Sequence, residues 1–168
     1  MREMRGQFLK LFRTRAGLKF NGELGDPPTN SAQDSFRPRR TLTTAKTALV
    51  STGDVVSTDD GQFLVALSVT LGDTKQFKAY QITHQISWTR MVDQIDFVTG
   101  VARDSSLSIL DSALPVVIEY GHRIENLAID TDKYRIVTGA DVQVGDRLGA
   151  WLVQSSVQQM GLNVLEVA

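Results

Sequence analysis

The sequence predicts a mainly β protein: a small antiparallel β-barrel or sandwich with long hairpins, preceded by an N-terminal amphipathic helix and an extended arm. Three observations predict it. From Tyr80 to Thr89, apolar Tyr80, Ile82, His84, Ile86 and Trp88 alternate with Gln81, Thr83, Gln85, Ser87 and Thr89, which is the period of a half-buried antiparallel strand. After residue 45, short apolar runs are punctuated by turn residues, as in small barrels and sandwiches. One element also occurs twice. GDVVSTDDGQFLV (53–65) and GDRLGAWLV (145–153) share a Gly-Asp, a second Gly and an aromatic-Leu-Val.

The chain opens with MREMRGQFLKLFRTRAGLKF, where Met4, Phe8, Leu11 and Phe12 fall at helical spacing and Arg5, Lys10, Arg13 and Arg15 lie around the rest of the wheel. This predicts an amphipathic helix within residues 1–19, ended near Gly17. Residues 20–44 read as an extended, basic, Pro-rich arm. The stretch 21–40 holds two Gly and three Pro, and neither a helix nor a ladder tolerates Pro27-Pro28. Such a long irregular segment is functional or disordered. Phe36 is its candidate anchor, flanked by Arg37, Arg39 and Arg40, and these four are candidate partner contacts.

Residues 45–168 are expected to form one β-barrel domain. Asp59-Asp60-Gly61 signals a hairpin, and Phe77–Met91 reads as one long strand, well beyond the usual length of about 5–6 residues. A second long hairpin turns at Thr99-Gly100, and its tip, Asp96, Val98, Thr99 and Gly100, is the second candidate contact. Residues 106–114 are ambiguous between a helix and a connection. A strand follows from Pro115, residues 123–139 give one or two more, and a final hairpin ends in the strand 162–167. The two Gly-Asp elements are expected to be two hairpins of the same barrel, with Gly permitting the turn and Asp bonding its local backbone. The predicted core is Val55, Phe63, Val65, Ile82, Ile86, Trp88, Val117, Trp151, Val153 and Val164.

Composition narrows the chemistry. There is no cysteine, so disulfides, thiolate nucleophiles and zinc–thiolate sites drop out. Of the two histidines, His84 sits on the apolar face of the long strand and His122 follows Gly121, with no second ligand at metal spacing. No Gly-x-Ser-x-Gly elbow and no phosphate-cradling Gly-Lys-Ser/Thr loop occurs. No catalytic, cofactor or metal residue is assigned, and an enzyme is not expected. No apolar run reaches the ~20 residues of a membrane span, and the start lacks a signal peptide's apolar core. Charge is uneven: residues 1–40 hold nine basic and four acidic residues, the remainder nine basic and fifteen acidic. A basic arm on a mildly acidic body suits an acidic neighbour, a second copy or nucleic acid.

Three stretches together resemble the head-closure, or head–tail adaptor (neck), proteins of tailed bacteriophages: TALVSTGDVVSTDDGQFLVA (47–66), FKAYQITHQISWTR (77–90) and DKYRIVTGADVQVGDRLGAWLVQSSVQQMGLNVLEVA (132–168). The resemblance covers residues 45–168. It implies a structural virion protein, a homo-oligomeric ring joining the portal to the tail, with portal, adaptor and tail proteins as partners. Genome DNA would pass through its lumen without sequence-specific contact. It also implies a place at the neck of the virion after assembly in the host cytoplasm, with neither cofactor nor membrane. The helix and arm depart from compact members, which leaves head closure, tail completion and a baseplate position open. The alternative from another class is a single-stranded nucleic-acid-binding barrel, in which aromatics would stack bases along a basic groove.

Overall fold

The single strand expected from Phe77 to Met91 is broken at Ile82 and Thr83, and that break divides the protein in two. In the computed structural model, which describes residues 9–25, 40–120 and 134–168, the described residues form twelve strands and no helix. The first six are β1 (Lys10–Thr14), β2 (Lys19–Leu24), β3 (Arg40–Ala45), β4 (Val55–Thr58), β5 (Gly61–Leu71) and β6 (Thr74–Gln81). They close an antiparallel barrel in the order β1-β2-β3-β6-β5-β4. The other six are β7 (His84–Ile95), β8 (Ala102–Tyr120), β9 (Tyr134–Thr138), β10 (Arg147–Leu148), β11 (Trp151–Gln159) and β12 (Leu162–Val167). Their ladder runs β7-β8-β9-β12-β11-β10 and closes through β10 onto β7. The second order is the first with six added to every label. Topologically the chain is one barrel made twice.

The registers carry the equivalence down to single residues. Leu42 pairs with Phe77 as Ile136 pairs with Leu165, and Thr14 with Val56 as Trp88 with Leu148. Thr44 and Thr138 occupy matching buried positions. The repeated Gly-Asp motif opens the β4–β5 hairpin of one barrel and the β10–β11 hairpin of the other, rather than two hairpins of a single barrel. Gly53 and Gly145 both have φ +94°, a backbone region that only glycine enters freely. Both donate to the valine that closes the motif: Gly53 N to Val65 O at 2.8 Å, and Gly145 N to Val153 O at 2.9 Å. The aspartates accept from the amide three residues earlier, Ser51 for Asp54 and Gln143 for Asp146. The local backbone bond thus runs backwards along the chain.

Three apolar cores result. Phe12, Phe20, Leu42, Val56, Phe63, Val65 and Phe77 fill the first barrel, and Leu114, Val116, Ile136, Leu148, Val153, Leu165 and Val167 fill the second. Between the barrels, Leu64, Ala66 and Tyr80 pack on Val117, Val137, Leu162 and Val164. β5 is therefore buried on both faces at Phe63–Ala66, which explains its unbroken apolar run. Gly139 lies against Gly53 so closely that a Cβ on it would sit 1.9 Å from the Gly53 carbonyl oxygen.

This interface belongs to one outer face of each barrel and does not recur. The second barrel's Val117, Val137, Leu162 and Val164 correspond by register to Glu23, Thr43, Thr74 and Gln76 in the first. The first barrel's buried Leu64 corresponds to Leu152, which is 43 % exposed.

Several expectations change. The expected helix is strand at Lys10–Thr14: Phe12 points inward and stacks on Phe20 with ring centroids 5.4 Å apart. Gly17, at φ +90°, turns β1 into β2 instead of ending a helix. Helical spacing and strand alternation both put Phe12 on a buried face, and cross-strand pairing decides the matter. Residues 1–8 of the expected helix lie outside the described residues. The expected arm supplies β2 and β3 at its two ends, with residues 26–39 outside the described part. The boundaries 1–19, 20–44 and 45–168 give way to barrels spanning 10–81 and 84–167. Residues 106–114 are strand. Pro115 lies inside β8 and not at its start, tolerated because the ladder to β9 begins only at Val117. His84 is exposed, with Nδ1 3.0 Å from Thr83 Oγ1, and not part of the core. Phe63, Val65, Val117, Val153 and Val164 are buried as expected, whereas Val55, Ile82, Ile86, Trp88 and Trp151 are half-buried.

Candidate functional site

Strand β7 meets β10 only at Trp88 and Thr89, and β8 meets β9 only from Val117 onward. Beyond those points the two strands continue together, from Arg90 to Ile95 and back from Ala102, as a two-stranded ribbon. Six residues of strand carry it roughly 20 Å past the barrel. Cross-strand partners share a face, so the register sorts its side chains. One face carries Met91 opposite Leu107, Thr89 opposite Ile109, and Asp93 opposite Ser105; the other carries Arg90 opposite Ser108 and Val92 opposite Ser106. Met91, Leu107, Ile109 and Ile95 are all more than half exposed. The ribbon is amphipathic, and its apolar face is bare.

The tip is held by Asp96. Its Oδ1 accepts the Val98 amide at 2.8 Å, its carbonyl accepts the Gly100 amide at 2.7 Å, and its own amide donates to Val101 O at 3.0 Å. Gly100 takes φ +66° to complete the turn. The result pushes Phe97 and Val98 fully into solvent. Asp96, Val98, Thr99 and Gly100 thus come together at one tip, with Asp96 and Gly100 shaping the turn and Val98 presented by it. Phe97 is absent from the sequence-based candidates. Its signal lies in an aromatic set directly before the Thr99-Gly100 turn.

Both strands are clamped where the ribbon leaves the barrel. On β7, Arg90 Nε and Nη2 donate to the two carboxylate oxygens of Asp146 at 2.7 and 2.8 Å. Trp88 Nε1 and the Gln143 amide donate to Asp146 Oδ2 at 2.9 Å each. The Arg90 guanidinium also lies 5.7 Å from the Trp88 ring centroid, within cation–π range. Asp146 is 1 % exposed. Burial works to raise its carboxyl, but Arg90, the Gln143 amide and Trp88 outweigh burial and hold it below the ordinary carboxylate value. On β8, Asp111 pairs with Arg15 of the β1–β2 turn at 2.5 and 3.0 Å, and Arg15 Nη2 reaches Ala113 O at 3.2 Å. That pairing lowers the Asp111 carboxyl and ties the ribbon's root to the first barrel.

Of the other expected contacts, Arg40 opens β3, where its Nε donates to Gly25 O at 2.9 Å and its Nη1 lies 3.5 Å from Asp60. Phe36, Arg37 and Arg39 lie outside the described residues. A cleft of about 480 Å³ opens at the barrel junction, lined by Thr14, Arg15, Asp54, Leu114 and Thr138 among others. Its polar groups are engaged locally: Thr14 Oγ1 with the Leu18 amide, Thr138 Oγ1 with the Ala140 amide, Asp54 with Ser51, and Arg15 with Asp111. Among the described residues, no three His, Cys, Asp or Glu side chains converge as metal ligands do.

No family model, no curated protein and no solved structure matches this chain.

Proposed function

We propose that this chain is a non-enzymatic structural protein that works by assembly and, following its resemblance to head–tail adaptors, that it is a neck component of a tailed phage particle. One observation carries the reading: an amphipathic ribbon, bare on its apolar face and clamped at the root of both strands. A lone two-stranded hairpin is marginal in water, and a protein that leaves one standing, with Phe97 and Val98 at its end, presents it to a partner. Adaptor barrels with long protruding hairpins are what the resemblance implies.

In this role the tandem barrels are the rigid body and the ribbon is the reach. Genome DNA would pass the ring without base-specific contact, and portal and tail proteins would be its neighbours. The test is composition and position in the particle. Mass spectrometry of purified tailed particles whose genome encodes this chain is expected to find it in several copies, and cryo-electron microscopy to place it between head and tail. Particles that are complete and infective without it would overturn the reading.

A further inference from the structure

The chain exposes a second apolar hairpin. At the far end of β5 and β6, Val69 and Leu71 pair with Gln76 and Thr74 on one face, and Leu67 lies at the bulge where β5 leaves the barrel interface. These three are 40–53 % exposed. The charges on the two elements are opposite. On the ribbon, Asp93 lies on the apolar face and Asp96 at the tip. On the hairpin, Lys78 lies on the same face as Gln76 and Val69, whereas Lys75, opposite Thr70, lies on the other, and Lys46 is brought alongside by its amide bond to Asp73 O at 2.8 Å.

We propose that the β7–β8 ribbon of one copy docks, apolar face first, on the β5–β6 hairpin of a second copy. This rests on the assembly reading above and names its partner. Met91, Ile95, Phe97, Val98, Val101, Leu107 and Ile109 are exposed by half or more. Seven side chains so exposed present on the order of 800 Å², one partner's share of a standard interface. Asp93 lies on the apolar face itself, where its Oδ1 accepts a bond from Ser105 Oγ at 2.8 Å, and a lysine-bearing hairpin complements it. A lipid surface is the poorer match, because the ribbon's aspartates are repelled by anionic headgroups. Ribbon-on-hairpin contact is heterologous, so each copy both gives and receives, and the array closes into a ring if the rotation allows.

The experiment is sedimentation velocity with light scattering on the full chain over a wide concentration range, using Ile95→Asp on the ribbon and Val69→Asp on the hairpin. Both sites are exposed, and an unchanged melting temperature shows that each variant is folded. The wild type is expected to associate beyond a dimer, and each variant alone to associate at least tenfold more weakly. Mixed in equal amounts, the two variants should form a 1:1 complex that grows no further, because the intact ribbon of Val69→Asp meets the intact hairpin of Ile95→Asp. A mixture that stays monomeric while the wild type associates would overturn the proposal. So would a ribbon variant that associates like wild type, or a wild type monomeric throughout. The last result removes the second copy as partner and leaves the assembly reading to its own test in particles. A chain that self-associates as described but is dispensable to the particle does the reverse: the docking stands and the neck reading falls.

Discussion

Replacing Asp146 by Asn keeps the shape of the side chain and removes its charge. The carboxylate accepts four hydrogen bonds, two from Arg90 and one each from Trp88 and Gln143. An amide has one acceptor oxygen, and its NH₂ would face donors. Hydrogen bonds to charged groups contribute about 1.5–3 kcal/mol each, and breaking a buried ion pair costs about 3–5 kcal/mol. Arg90 is 30 % exposed and keeps a route to water, which pulls the figure to the lower end, about 3 kcal/mol. The duplicated fold supplies the control. Asp54 occupies the same place in the first barrel, is half-buried, and is bonded through its carboxylate to the Ser51 amide. Asp54→Asn should cost about 0.5–1 kcal/mol. For a chain of this size the two variants should lower Tm by about 6–12 °C and about 1–4 °C. Urea and thermal unfolding at pH 7 measure both. The pH dependence follows from the depressed Asp146 carboxyl. Its contribution is complete above the unfolded value of about 3.9 and is lost as pH falls through the lower folded value. The gap between wild type and Asp146→Asn should therefore close in acid. Equal losses for the two aspartates, or a gap that widens in acid, would refute the reasoning.

Other expectations follow from the same geometry. Leu64→Ala, in the inter-barrel core, should cost about 2–4 kcal/mol in denaturant unfolding, whereas Leu152→Ala at the matching exposed position should cost under about 1 kcal/mol. Gly139→Ala forces a Cβ onto the Gly53 carbonyl and should destabilise by about 3 kcal/mol, read as a lowered urea midpoint. Arg15 is half exposed, so a double-mutant cycle of Arg15→Ala with Asp111→Asn should give a coupling of only about 0.5–1 kcal/mol, smaller at 1 M salt. Phe97→Ser should leave stability within about 0.5 kcal/mol of wild type, which separates a binding residue from a core one.

Much of the β architecture is legible in the sequence, because its signals are local. Strand alternation, the Asp59-Asp60-Gly61 hairpin and the Thr99-Gly100 turn each depend on a few neighbouring residues. The N-terminal strands are not legible, since Phe12 fits a helical stripe as well as a strand, and its partner Phe20 lies beyond a turn. The break at Ile82–Thr83 is hidden for a different reason. Tyr80 and Ile82 face the core between the barrels, whereas Ile86 and Trp88 face the second barrel's interior. Two strands serving two cores keep one alternation across their junction. The repeated Gly-Asp element is visible, but its place is not, because only long-range pairing tells two hairpins of a barrel from one hairpin in each of two. At the candidate site the tip is readable from its turn chemistry. The apolar face of the ribbon is not, since its alternation looks like that of any half-buried strand.

The differences between the two barrels explain what the second Gly-Asp is for. By register, Trp88 stands where Thr14 stands in the first barrel. There the chain turns back at once, with Thr14 N bonding Leu18 O at 2.8 Å and Gly17 N bonding Thr14 O at 2.9 Å, and Asp54 need only shape its own loop. In the second barrel the same hairpin runs on into the ribbon. A strand leaving a barrel loses its lateral partners, so the last place to fix its direction is the point of exit. Asp146 sits at that point and holds Trp88 and Arg90 on the departing strand, while Arg15 reaches over from the first barrel to hold Asp111 on the returning one. The Asp146 clamp also seats Trp88 against the second barrel's core, whereas the Arg15–Asp111 pair lies at the surface. Both restrict the angle at which the ribbon stands, and a fixed angle lowers the ordering cost of docking it on a partner.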